Sequence, residues 1–158
     1  MALSRNGSNT TTTRTGTPVG LPMGTLVLTL DGALPVEHLG PGDRIVTRAG
    51  VRRLRAVTVT VLADAAMVAV APGALGHDRP DRPLMLPAGQ AVLLRDWRAR
   101  AMFGTEAALV PVGRLADGVF LRHVRAASVR LFVLVFDAPA VIYADGVEIG
   151  VAAVPVSA

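Results

Sequence analysis

Few residues in this chain could do covalent chemistry. It has no cysteine, which removes thiolate nucleophiles, thiolate metal ligands and disulfides. The three histidines are His38, His77 and His123. None share a metal-ligand spacing such as His-x₃-His, so each reads as a surface or turn histidine, and neither a metal nor a cofactor is expected. Asp137 and Asp145 could form a carboxylate pair for acid–base work. Both fall in turn-like sequence, "FDAP" and "ADG", where aspartate serves structure. Beyond the other tail threonines, the hydroxyls worth naming as a displaced nucleophile are Thr25 and Ser4, with Thr17 three residues before Gly20. A hydroxyl needs a neighbouring base to attack a carbonyl, and nothing places one beside Thr17.

The elements that must position these groups are strands. In "TLVLTL", Leu26, Leu28 and Leu30 share one face and Thr25, Val27 and Thr29 the other. Val57, Val59 and Val61 oppose Thr58 and Thr60 in "AVTVTVL". From Leu131 to Phe136 the chain is apolar on both faces, as a central strand would be. Gly, Pro and Asp end these runs at Asp31-Gly32, Pro41-Gly42-Asp43, Ala49-Gly50 and Asp145-Gly146. Helical signals are weak. "EHLGPG" allows one turn before Gly40 and Pro41 stop it, and "RDWRARAMFG" allows a short helix or a loop carrying Trp97. The expected fold is all-β, built of many short strands. "AAMVAVAPGALG" (65–76) reads as buried strand rather than groove lining, and "GHDRPDRP" (76–83) as a solvated loop leading into a strand.

Composition bounds the rest. The 158 residues suit one domain, and at 51% hydrophobic the chain can bury a core. No apolar run approaches the roughly 18 residues of a membrane helix. "MALSRNGSNTTTTRTGT" lacks the apolar centre of a signal peptide. Residues 1–17 therefore read as a disordered polar tail, 153–158 as a C-terminal tail, and the location as cytoplasmic by default. The net charge is +4, carried entirely by arginine on the basic side. The arginines are scattered and aromatics are few, which argues against a nucleic-acid surface; an arginine-rich nucleic-acid binder is the second alternative.

"PVEHLGPG" at 35–42 recurs as "PVGRLADG" at 111–118, with Pro, Val, Leu and Gly matched. The echo fits either two similar turns or two related halves. Together, "GTLVLTLDGALPVEHLGPGDRIVTRAG", "RPLMLPAGQAVLLRDW", "ALVPVGRLADG" and "FVLVFDAPAVIYADGVE" resemble the Hint domain, the hedgehog/intein autoprocessing module, in its bacterial form. The resemblance spans about residues 18–151. It implies a flattened, horseshoe-like all-β domain, here 18–152, of two halves related by a pseudo-two-fold.

The resemblance also implies a reaction. In active members a cysteine or serine attacks the peptide carbonyl just before it. A histidine in a Ser/Thr-Pro-x-His-like segment protonates the departing amide, and a later histidine or carboxylate resolves the intermediate. Carried over position by position, the nucleophile's place, four residues before Gly24-Thr25, holds Gly20. In "PAGQ", Pro87 stands in the serine's place and Gln90 in the histidine's. The closing positions hold Val133 and Pro139, with Asp137 kept between them. Gly20, Pro87, Gln90, Val133 and Pro139 can neither attack nor donate a proton as an acid. The scaffold positions Gly24, Thr25, Asp31, Gly32, Pro35, Val36, Leu39, Gly42, Asp43, Leu115, Asp137 and Gly146 remain, and Thr25, Asp43 and Asp137 are expected to keep hydrogen-bond roles. The implied protein is a degenerate member that neither splices nor cleaves itself, and whose vacated cleft between Gly20 and Gln90 could take a peptide or protein partner. The alternative is an active self-processing domain with displaced residues, drawing on Thr25, Ser4 or Thr17.

Overall fold

The computed structural model describes residues 18–152, so the expected tails at 1–17 and 153–158 lie outside the described residues. Twelve strands form two sheets: β1 (Leu21–Pro22), β2 (Leu26–Thr29), β3 (Gly32–Pro35), β4 (Arg44–Thr47), β5 (Gly50–Arg53), β6 (Ala56–Val70), β7 (Leu84–Pro87), β8 (Ala91–Leu94), β9 (Ala108–Pro111), β10 (Leu121–Val135), β11 (Ala140–Ala144) and β12 (Val147–Val151). The first sheet runs β1-β10-β6-β7. The second runs β3-β2-β4-β11-β12-β8-β9, with β5 on β4. Pairing is antiparallel throughout. One core, holding Val27, Val36, Ile45, Leu86, Ile142 and Ile149 among others, joins the two sheets.

The all-β expectation holds, but the strands are not all short. β6 and β10 each run 15 residues and pair along nearly their whole length. Arg122, Arg125, Arg130 and Asp64 interrupt the apolar pattern, yet each sits on an exposed position and the backbone stays extended on either side. In β2 the face turned to the core is Thr25, Val27 and Thr29, while Leu28 and Leu30 are exposed. The threonines can be buried because their hydroxyls have acceptors: Thr25 Oγ1 donates to Pro22 O at 2.8 Å and Thr29 Oγ1 to Gly32 O at 2.8 Å. Leu131, Phe132, Leu134 and Phe136 are buried, as the apolar run requires of a strand held between β1 and β6.

The sequence echo is a structural echo. Pro35 (φ −58°, ψ 139°) and Pro111 (φ −58°, ψ 129°) each enter a short 3₁₀ turn, Val36–His38 and Val112–Leu115. Each turn follows the second strand of a hairpin, β2-β3 and β8-β9, and these hairpins occupy opposite ends of the second sheet. "RDWRARAMFG" forms a helix, α1 (Trp97–Phe103). Asp96 caps it by accepting from Arg98 N–H, and Gly104 ends it at φ 71°. At the Asp145-Gly146 corner both residues have positive φ, 48° and 83°, the geometry that lets two residues join β11 to β12.

Candidate functional site

The first sheet begins with only two paired residues, Leu21 and Pro22, opposite Phe132 and Leu131. Just before them Gly20 takes a backbone conformation that residues with side chains rarely adopt, with φ at 130°. A Cβ there would lie 3.1 Å from Leu131 Cβ, 3.2 Å from Phe132 O and 3.2 Å from Val133 Cγ2. The position thus disfavours a side chain twice, by conformation and by space.

Gly20 N–H donates to Gln90 Oε1 at 2.8 Å. Gln90 is buried in the turn between β7 and β8, held by its own N–H to Pro87 O (2.9 Å) and by Val112 N–H to its carbonyl (2.9 Å). Its Nε2 donates to Gly150 O (2.9 Å) and Ala91 O (3.1 Å). One N–H on one side and two carbonyls on the other fix which amide atom is which. The carboxamide therefore ties three elements together: the entry to β1, the β7–β8 turn and β12. It leaves no polar atom of its own unpaired.

Gly20, Gln90, Val133 and Pro139, brought from four places in the chain, line one cavity of about 670 Å³. The remaining wall is mostly apolar, including Val19, Leu21, Phe132, Leu134, Val141 and Ile149. Among the described residues, Arg48 and Gln90 are its only polar side chains. Such a concavity, apolar with few polar groups, is the usual form of a small binding site.

Beside this cavity lies a cluster that the sequence reading did not single out. Glu148, on β12, is buried, and three arginines converge on its carboxylate. Arg48 Nη1 reaches Oε2 at 2.5 Å; Arg95 Nε and Arg79 Nη1 reach Oε1 at 2.7 and 3.1 Å. Burial pushes the Glu148 carboxyl up, but hydrogen bonds from Arg48 and Arg95, with their charges, outweigh it and hold the group below its ordinary value. "GHDRPDRP" is accordingly more than a solvated loop. Arg79 serves Glu148, and Arg82 binds the buried Asp145 (Nε to Oδ1, 2.7 Å) and Gly24 O (2.9 Å). The sequence signal was an arginine beside each proline in a strand-to-strand loop, legible only with its partners in view.

The other candidates stand apart. Asp137 is exposed and pairs with Arg55, whereas Asp145 pairs with Arg82, so the two share no partner. His38 and His123 are exposed, and His77 Nε2 lies 3.3 Å from Asp78 Oδ2. Among the described residues no group of His, Cys, Asp or Glu could hold a metal ion. Thr25 Oγ1 is committed to Pro22 O, and Asp43 Oδ2 accepts from Gly40 N–H at 2.9 Å; both keep their expected hydrogen-bond roles. Ser4 and Thr17 lie outside the described residues. No helix among the described residues is long and apolar enough to cross a membrane.

Residues 19–150 match the Hint domain family. Solved structures with the same fold include a bacterial intein-like domain from Clostridium thermocellum (TM-score 0.60, 14% identity, covering 84% of this chain and 97% of that one). The gp41-1 intein is similar at TM-score 0.55 and 10% identity, over 84% of this chain and 98% of that one. A DnaB intein from Synechocystis gives 0.53 and 10%, over 87% and 100%. No curated protein matches the chain.

Proposed function

The chain belongs to the Hint domain family, and we propose that it keeps the family's fold as a structural or binding module without performing the acyl transfer. The observation that carries this reading is the Gly20–Gln90 contact. In the reaction that the resemblance implies, the amide nitrogen of the nucleophile is the atom that must take up a proton as the peptide bond breaks. Here that nitrogen belongs to Gly20, which has no nucleophile, and it faces Gln90 Oε1, which only accepts. General acid–base help contributes roughly 10²–10⁴-fold, and without a nucleophile the covalent route has no first step. The closing positions, Val133 and Pro139, present only hydrocarbon to the cavity.

What remains is the cavity itself, apolar and partly open, in the place where cleavage chemistry would occur. It supports a role in holding an apolar peptide segment or small ligand. Among the described residues eight arginines pair with carboxylates, which leaves scattered charge rather than a basic stripe there and supports the same reading over nucleic-acid binding.

The test is a fusion with a reporter ahead of Pro18, incubated with thiol or hydroxylamine and followed by intact mass. The expected result is an uncut chain. Release of the reporter at or near the Val19–Gly20 bond would overturn the proposal and establish the displaced-nucleophile alternative.

A further inference from the structure

The β6–β10 ribbon has two edges, and they are treated differently. β10 carries Arg122, His123, Arg125 and Arg130, the charged residues that keep a strand edge from pairing with another chain. β6 carries no charge from Ala56 to Ala63, and β7 covers only Met67–Val70. From Thr58 to Val61 every residue is exposed, with Val59 at 52% and Val61 at 61%. Among the described residues this stretch pairs with β10 alone.

The direction of the backbone groups can be worked out. Phe132 O points toward Gly20, 3.2 Å from where a Cβ would stand, so Phe132 turns its polar groups toward β1. Its neighbours then turn theirs toward β6, as the bond from Arg55 N–H to Val135 O (2.8 Å) bears out. Opposite Leu131, Val133 and Val135 stand Thr60, Thr58 and Ala56, which complete the ladder with β10. The alternate residues Val57, Val59, Val61 and Ala63 therefore aim N–H and C=O outward along an uncharged edge.

Those four positions are symmetric about Thr60. We infer that a second copy of this chain pairs antiparallel along β6, with the two-fold axis at Thr60. Val59 lies opposite the partner's Val61 and Val57 opposite the partner's Ala63, each pair exchanging both backbone bonds, and each Val59–Val61 contact occurs twice. The charged residues bounding the stretch do not repel across the contact, because the antiparallel register sets Arg55 beside the partner's Asp64, opposite in sign. The contact is isologous, so it closes at two copies. The uncharged edge from Ala56 to Ala63 is eight residues, about 27 Å of strand, a small contact for a specific interface, which makes the dimer concentration-dependent. This inference is independent of the cavity and of the proposed function.

Sedimentation of the whole chain from roughly 1 to roughly 300 µM tests it. The expected result is a shift from monomer mass to twice that mass. Val59→Pro removes an outward N–H without touching the ladder to β10, and Val61→Lys places a charge on the edge; each weakens the dimer at least about tenfold. The register has its own test, because the chain has no native cysteine. At the centre, two copies of position 60 form a non-hydrogen-bonded pair with Cα atoms about 4.5 Å apart, within disulfide reach. Thr60→Cys cross-links under mild oxidation and Thr58→Cys does not. A wild-type chain that stays monomeric at the highest concentration, an open-ended series of larger species, or equal cross-linking at positions 58 and 60 would each overturn the inference.

Discussion

Placing at positions 20 and 90 the residue types that the resemblance implies for the reaction, Gly20→Cys with Gln90→His, should not produce cleavage, and the reason is quantifiable. A side chain at φ 130° costs about 1–3 kcal/mol in backbone strain. The contacts at 3.1 and 3.2 Å to Leu131, Phe132 and Val133 add to that, because two of the atoms met are a Cβ and a backbone oxygen that cannot swing away. Replacing glycine returns about 0.4–1 kcal/mol through the unfolded chain. The net cost at Gly20 is about 2–3 kcal/mol. Gln90→His then replaces a group that accepts once and donates twice with one that, when neutral, accepts once and donates once, so Ala91 O or Gly150 O loses its partner at about 1 kcal/mol or more. Together the changes remove about 3–4 kcal/mol. With a urea slope of about 2 kcal/mol/M the midpoint falls by roughly 1.5–2 M. The assay is urea unfolding of Gly20→Ala, Gly20→Cys and the double variant, beside intact mass of each in thiol. Gly20→Ala within about 0.5 kcal/mol of wild type would show that the conformation at Gly20 is not enforced. Thiol-dependent cleavage by the double variant would refute the reasoning altogether.

Further expectations follow from the same geometry. Gln90→Ala leaves Gly20 N–H and Gly150 O unpaired in a buried place and should cost about 2–4 kcal/mol by urea unfolding, more than a surface glutamine would. Glu148→Gln removes the anion shared by three arginines; these are partly exposed and can rehydrate, so the loss should be about 2–3 kcal/mol, toward or below the low end for a broken buried pair. Because the folded Glu148 carboxyl sits below its ordinary value, its contribution is complete above the unfolded value near 4.3 and fades as pH falls through the lower folded value. Wild type should therefore lose stability below about pH 4 with a steeper slope than Glu148→Gln, and parallel slopes would remove Glu148 from the account. Asp96→Ala, which uncaps α1, should cost about 1 kcal/mol by thermal melting. On a DNA resin the wild-type chain should show no salt-dependent retention; a steep salt slope would revive the nucleic-acid alternative.

The fold was legible because its signals are local. Alternation, the Asp-Gly corners and the paired "PVEHL" and "PVGRL" turns each depend on residues a few positions apart, and each survives in the structure. The four site positions could be named from the resemblance, and the structure brings them to one cavity. The forces acting there could not be named in advance. Glu148 meets Arg48 and Arg95 across 100 and 53 positions, and nothing in "GVEIG" marks a glutamate for burial. β2 shows the limit of patterning: alternation gives two faces, but hydrogen bonds to Pro22 O and Gly32 O decided that the threonine face goes in and the leucines out.

Gly20 and Gln90 are better understood as one joint than as two separate positions. Glycine lets the chain cross close over β10 at φ 130°, and that crossing aims the Gly20 N–H at the β7–β8 turn. Glutamine is suited to answer it, since it can accept from that N–H while donating to carbonyls on β8 and β12. Histidine would leave one of those carbonyls bare, and any side chain at position 20 would push β1 off β10. Each residue therefore favours the other. Changing one alone should cost stability and gain no chemistry, and the two penalties should be non-additive, with a coupling of about 0.5–3 kcal/mol between Gly20→Ala and Gln90→Ala in a double-mutant cycle. A coupling near zero would mean that the 2.8 Å contact is incidental and that the two positions are energetically independent.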